Sequence, residues 1–274
     1  MKKELRKYLM GNWISIDLAN SQPFFLSQVL NILINSHQSH YNTHNYTPHT
    51  PTTINNNIPL CSDFFKIYLG KCFAKQVVKM ISKITQNNQS SITEELLNLQ
   101  ISCINGTFYE DFIGRFDGDT LTRDDVKELL FAVLFSRNVI YREHNRKVPY
   151  EAEKKKFAQV YPNISRIIEA MKHYDHTKLT ILLQRIESTI FIDTICPLLV
   201  AQGIVPITIH DSFIVQAEQA ERALEVCKHI FREIFQVIPT FHVEPLKDVH
   251  SDSDEENDIP RTQEQPVFIH RLAG

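Results

Sequence analysis

Two aspartates stand at the ends of short apolar runs in opposite halves of the sequence. Asp17 closes Trp13-Ile-Ser-Ile16, and Asp211 falls between Ile204 to Ile209 and Phe213 to Val215. Carboxylates on adjacent rigid strands are the donors required by two divalent cations about 4 Å apart, which activate an attacking oxygen and neutralise a leaving phosphate. On residue type alone the two positions read as turn or cap aspartates, a commoner use of that residue. A second set, Arg123, Lys127, Phe131 and Phe135, recurs every four residues. Each step of four advances about 40° around an α-helix, so the four share a face, distinct from the stripe of Val126, Leu129 and Val133. Cations followed by rings suit a nucleotide: guanidinium and ammonium groups hold phosphates, and the rings pack on base or sugar. Taken in isolation, that face reads as a solvated charged turn followed by buried aromatics.

The elements that must position these groups are short strands and long helices. Alternation around Trp13, Ile14 and Ile16 predicts a strand over 12–18, and the spacing of Phe24, Leu26, Val29, Leu30 and Ile34 predicts a helix over 23–35 with Pro23 at its first position. Residues 36–58 are rich in His, Asn, Thr and Pro. They read as a flexible insert, whose four histidines (His37, His40, His44, His49) belong to a solvated loop rather than a metal site. Helical spacing returns over 63–80 and 92–99, separated by a polar Gln-Asn-Asn-Gln-Ser-Ser junction, with a turn at Asn105-Gly106. Residues 121–137 form the clearest helix, opened by Thr122 and Asp125 as a capping box. Further helices are expected over 150–172, 177–201 and 217–235. A hairpin carries His210-Asp211-Ser212 at its apex, and an edge strand covers 240–243. The acidic run Ser251 to Asp258 lies in a segment, from about residue 249 onward, with too few apolar residues to pack.

A 43% hydrophobic content over 274 residues supports a real core. The formal net charge of -3 gives no global basic signature, so any nucleic-acid surface must be local. Five cysteines without a CxxC pair suggest neither a disulfide framework nor a zinc site and fit a reducing cytoplasm, and no apolar run reaches the length of a membrane span or a signal-peptide core. The first strand and first candidate residue fall within the first twenty positions, which suggests a missing or separately encoded N-terminal part.

Together these features resemble a known family. Asp17-Leu-Ala-Asn-Ser-Gln22 is similar to motif A of the family A DNA polymerases and the phage-type single-subunit RNA polymerases. Arg123-x3-Lys127-x3-Phe131-x3-Phe135-Ser136 resembles their motif B, the fingers helix, and Ile209-His210-Asp211-Ser212 their motif C. The order A, B, C is the family order. Phe157-Ala-Gln-Val-Tyr161-Pro162 resembles the segment beyond the fingers helix, and Gln184 with Glu187 and Ser188 the helix before motif C, so the resemblance spans about Trp13 to Val243. The chain also resembles uncharacterised phage and mobile-element proteins with these motifs.

The resemblance implies an α+β fold, helix-rich overall: a polymerase-like palm whose small antiparallel sheet carries motifs A and C, with helical fingers. Residues 1–35 and 176–248 would form the palm, 36–58 the insert, 59–175 the fingers and 249–274 an acidic disordered tail. Asp17, Asp211 and the Leu18 carbonyl would ligate two Mg2+ ions, with Mn2+ as a substitute. Arg123 and Lys127 would bind the triphosphate, Phe131 and Phe135 would lie under the nascent base pair, and His210 would orient the primer terminus. Gln184 and Ser212 would contact primer-template. Gln22 falls where the DNA polymerases carry a sugar-screening glutamate and the phage-type RNA polymerases a glycine, which leaves sugar choice open. Implied partners are a nucleic acid primer-template, nucleoside triphosphates, and a separate protein or missing N-terminal segment supplying a thumb; no membrane is implied. The implied setting is the cytoplasm of a bacterial or phage-infected cell. DNA synthesis is the first expectation. An RNA polymerase relative and a catalytically degenerate palm that binds nucleic acid or a replication partner are the alternatives.

Overall fold

In the computed structural model, residues 11–41, 62–116, 121–142, 145–209 and 211–246 are described. Strand β1 (Trp13–Leu18) alternates as its sequence predicts: Ile16 and Leu18 are buried on one face, while Ser15 and Asp17 on the other are half-buried. It is a central strand of a four-stranded antiparallel sheet ordered β4-β5-β1-β6, built with β4 (Ile207–Ile209), β5 (Ser212–Gln216) and β6 (Phe241–Pro245). Asp17 pairs with Ser212 on one side and His242 on the other, and Ser15 with Ile214 and Glu244. Residues directly opposite in an antiparallel pair point to the same face. Asp17, Ser212, His242 and Glu244 therefore share one side of the sheet.

The opposite face packs on helices. Phe213 and Val215 of β5 join Ile16 and Leu18 in a core shared with α1 (Ser21–Tyr41) and α9 (Ala220–Phe235). Phe231 of α9 is its hub, with ring centroids 5.7 Å from Phe24, 6.0 Å from Phe191 and 5.3 Å from Phe241. Seventeen phenylalanines against seven glycines find their explanation in this kind of cluster.

The remaining helices extend the same core: α2 (Ser62–Asn105), α3 (Phe108–Ile113), α4 (Arg123–Phe135), α5 (Glu151–Val160), α6 (Pro162–Met171) and α7 (Thr177–Ser188). Helix α7 runs through a π-helical segment, Thr189–Ile195, into α8 (Cys196–Ala201). A hairpin of β2 (Ile140–Arg142) and β3 (Asn145–Lys147), absent from the sequence reading, leads from α4 to α5. The class is α+β, helix-rich with a small antiparallel sheet.

Several expectations need correction. The helix after β1 begins at Ser21 and runs to Tyr41, so the first residues assigned to the insert are helical. The rest of that insert and the acidic tail lie outside the described residues. Helix α2 is continuous where a junction was expected; the polar stretch contains neither Pro nor Gly, and buried Ile84 and Ile92 flank it on the core side. The expected helix over 150–172 is two, broken at Tyr161-Pro162 because proline lacks the N–H that would continue α5.

Gly106 ties the long helix to the sheet. Its φ of +76° favours glycine, and an added Cβ would lie 3.1 Å from the Cβ of Ala19 and 3.2 Å from that of Thr240. Around it, Thr240 donates through its N–H to the Ile104 carbonyl at 2.9 Å, and Ala19 N–H donates to the Thr240 carbonyl at 3.0 Å. The end of α2 thus fixes the turn that follows Asp17.

Candidate functional site

Helix α4 starts as its sequence requires. The Thr122 hydroxyl accepts from Asp125 N–H at 3.2 Å and the Asp125 carboxylate accepts from Thr122 N–H at 2.7 Å, completing the capping box. Its buried side holds Val126, Leu129, Leu130 and Val133 against the core. This packing turns the other face, with Arg123, Lys127, Phe131 and Phe135, toward the sheet.

The two surfaces enclose a cleft of ≈ 650 Å³. The sheet side contributes Asp17, Asp211, Ser212, His242 and Glu244, the turn after β1 contributes Asn20, the start of α1 contributes Gln22, and α4 contributes Arg123, Lys127, Phe131 and Phe135. Backbone pairing brings the two aspartates together: Leu18 N–H donates to the Asp211 carbonyl at 3.4 Å, beside the Asp17 and Ser212 pair. Burial pushes the Asp17 carboxyl up to about 7, and repulsion from Asp211 and then Glu244 adds to it. Glu187 of α7 is also pushed up to about 7, by burial first and then by Asp211; a hydrogen bond from Gln22 Nε2 to its Oε2 at 2.6 Å opposes the rise. The site therefore gathers carboxyl groups whose charged forms burial and mutual repulsion disfavour.

On the helix side, Arg123 lies 5.2 Å from the Tyr109 ring centroid and 3.6 Å from the Glu110 carboxylate, while Lys127 meets Asp124 at 2.9 Å. These are exposed pairs of the kind worth little in water, so a phosphate can displace them at small cost. Burial pushes the Tyr109 hydroxyl up to about 12, and nearby Arg123 opposes the rise. Phe131 is 56% exposed, unusual for a phenylalanine, and its ring lies 5.1 Å from that of half-buried Phe135.

Among the described residues no group of three or more His, Cys, Asp or Glu is arranged as a metal cage. A carboxylate pair nevertheless fits Mg2+, which keeps several waters and is commonly held by one or two carboxylates plus substrate phosphates. Ser212 is engaged within its own hairpin, where its hydroxyl donates to the Ile209 carbonyl at 2.8 Å.

Asp17, Leu18, Gln22, Arg123, Lys127, Phe131, Phe135, Asp211 and Ser212 all line this cleft. Gln184 does not. It borders a second, more apolar cavity of ≈ 770 Å³ with Tyr150, Thr177 and Ile181, which shares Phe131 and Phe135 with the first. His210 lies outside the described residues. The sequence reading missed Tyr109, His242 and Glu244, and gave Asn20 no role beyond its place in the Asp17-to-Gln22 motif. For His242 and Glu244 the only signal was alternation on a short edge strand, and that carries no information about which strand lies next to it.

Neither the protein-family models nor the curated proteins searched match this chain.

Proposed function

We propose that this protein is a template-directed nucleotidyltransferase of palm-and-fingers type, similar to the family A DNA polymerases, which extends a primer from nucleoside triphosphates. One observation carries the reading: Asp17 of β1, Asp211 of the adjacent β4–β5 turn and the Arg123/Lys127/Phe131/Phe135 face of a capped helix line the same cleft. The pair on the sheet suits the reacting end of a triphosphate and the face on α4 suits its phosphates and base. Arg123 and Lys127 would exchange their exposed carboxylate partners for phosphate oxygens, and exposed Phe131 would cover the base. Asp17 and Asp211, with the Leu18 carbonyl, would hold two Mg2+ or Mn2+ ions. Such ions lower the barrier by charge neutralisation at the attacking and leaving oxygens. A primer-template, a thumb from a further segment or a separate protein, and the cytoplasm of a bacterial or phage-infected cell belong to the same proposal.

A second reading, a palm that binds nucleic acid or a replication partner without turnover, is favoured by the sparse donor arrangement: among the described residues no group of three or more His, Cys, Asp or Glu is arranged to hold a metal ion, and Ser212 is engaged in its own hairpin. Primer-template extension with Mg2+ or Mn2+, supplying dNTPs and NTPs in turn, separates the two. Incorporation should be lost in Asp17→Ala, and Arg123→Ala or Lys127→Ala should each weaken triphosphate binding roughly 10- to 100-fold, the worth of one charge-assisted contact. Incorporation no greater than that of Asp17→Ala would refute the catalytic reading, and nucleic-acid binding that survives in that case would favour the second.

A further inference from the structure

The hairpin of β2 and β3 is not explained by packing. None of its described side chains joins the buried cluster, and it falls between Ser136 and Phe157, outside every motif that carries the family resemblance. A two-stranded ribbon of three residues a side is marginal by itself, so its presence on the surface calls for another reason. Two features supply one. The first is charge: residues 137–156 contain seven Lys and Arg against three Glu, in a chain whose formal net charge is -3. Arg137, Arg146 and Lys147 are exposed, and none of them makes an ion pair among the described residues. Glu151 does not neutralise them, because the Lys155 ammonium at 2.8 Å already holds its carboxyl low, with a smaller contribution from Arg146.

The second feature is an uncovered ring. Tyr141 is 75% exposed, more than any other large hydrophobic side chain among the described residues. In the hairpin register it stands directly opposite Arg146. Opposite residues of an antiparallel pair share a face with Cβ atoms about 5 Å apart, so a ring and an unpaired guanidinium are presented together. That combination has a specific complement. Every nucleobase has a π-face that can stack on tyrosine, and the phosphate next to it meets the cation. A duplex offers phosphates but hides its base faces, and an acidic peptide offers carboxylates and no base. We propose that the β2–β3 hairpin is a platform for single-stranded nucleic acid, on which Tyr141 stacks a base and Arg146, with Arg137 and Lys147 of the same segment, holds the phosphates. DNA and RNA share this chemistry. The platform goes beyond the nucleotidyl-transfer reading, since strand binding here needs neither triphosphate nor metal. It also provides the local basic surface that the overall charge of the chain does not.

The test is fluorescence anisotropy with labelled oligothymidylate, oligouridylate and a duplex of the same length, added to the full chain in EDTA without nucleotides. At least one single strand should bind more tightly than the duplex, and the tighter of the two identifies the strand. Tyr141→Ala should weaken single-strand binding roughly 5- to 150-fold, the worth of one stacked base, whereas Tyr141→Phe, which keeps the ring, should bind as the wild type does. Arg146→Ala should also weaken binding and lower the slope of log affinity against log salt by about 0.7, the share of one single-strand phosphate. Both side chains are exposed, so the variants should keep the wild-type melting temperature. Duplex bound as tightly as either single strand, or Tyr141→Ala indistinguishable from wild type, would overturn the proposal. Loss in Arg146→Ala alone would mark a general polyanion surface and overturn it equally. With neither metal nor triphosphate in the assay, a negative result leaves the nucleotidyl-transfer reading standing, and a failure of primer extension leaves the platform standing.

Discussion

Asp17→Asn should make the metal-free protein more stable while abolishing its response to magnesium. Burial, reinforced by Asp211 and Glu244, raises the Asp17 carboxyl from 3.8 to about 7, so at pH 7.5 the folded chain carries a charge that its surroundings disfavour. A rise of that size corresponds to roughly 4 kcal/mol, and partial solvent exposure of the carboxyl screens this to on the order of 2 kcal/mol. Asparagine keeps the shape and removes the charge. For a chain of this size each kcal/mol moves the melting temperature by about 2–4 °C, so the variant should melt roughly 4–8 °C above wild type in EDTA at pH 7.5. The gain has a defined pH dependence. A carboxyl whose folded pKa is raised costs nothing below its unfolded pKa, and the cost grows as pH rises toward the folded value, so the difference should shrink steadily as pH falls from 7 to 4. Millimolar magnesium should raise the wild-type melting temperature and leave the variant unmoved. Differential scanning fluorimetry at several pH values, with and without magnesium, measures all of this. A variant that melts at or below wild type in EDTA at pH 7.5 would refute the claim that Asp17 stores electrostatic cost for a cation.

Lys172, buried at 3% exposure, donates to the Val133 carbonyl near the end of α4; burial, with Lys154 nearby, lowers its ammonium to about 7. The unfolded chain keeps a proton that the folded chain releases between about 7 and 10.5, so wild-type stability should rise with pH across that window relative to Lys172→Met. Urea unfolding at pH 6.5 and 9.5 checks it, and a pH-independent difference would remove Lys172 as the titrating group. Gly106→Ala should destabilise by about 1–3 kcal/mol through the left-handed φ and the close approach to Ala19 and Thr240, and should lower nucleotide affinity because the turn after Asp17 moves with it. Thermal melts and binding on the same preparation read both effects, and an unchanged melting temperature would show that the three segments do not depend on that contact.

The sequence showed the parts whose order is local. The four-residue spacing from Arg123 to Phe135 and the Thr122/Asp125 cap fix which face of α4 is buried, because both signals are complete within one helix. Alternation in β1 likewise puts Asp17 opposite Ile16 and Leu18. Other parts were not readable. Unbroken α2 conceals its continuity behind polar residues, and the π-helical segment after Ser188 carries no propensity that distinguishes it from an ordinary helix. Gln184, grouped with the site by resemblance, borders a different cavity, on α7, that meets the first only at Phe131 and Phe135.

By itself, then, the sequence determined the chemical character of the two surfaces: a strand ending in a carboxylate and a helix face of cations followed by rings. Only the tertiary structure decided what those surfaces meet. Strand order sets β1 between β5 and β6, which gives Asp17 an acidic neighbour at the β4–β5 turn and His242 and Glu244 on the other side. The end of α2 meets Ala19 and Thr240 at Gly106, and α7 carries Glu187 to Gln22 from far along the chain. Periodicity reports which side of an element is buried; strand order and long-range docking depend on many weak contacts at once, and no local pattern encodes them.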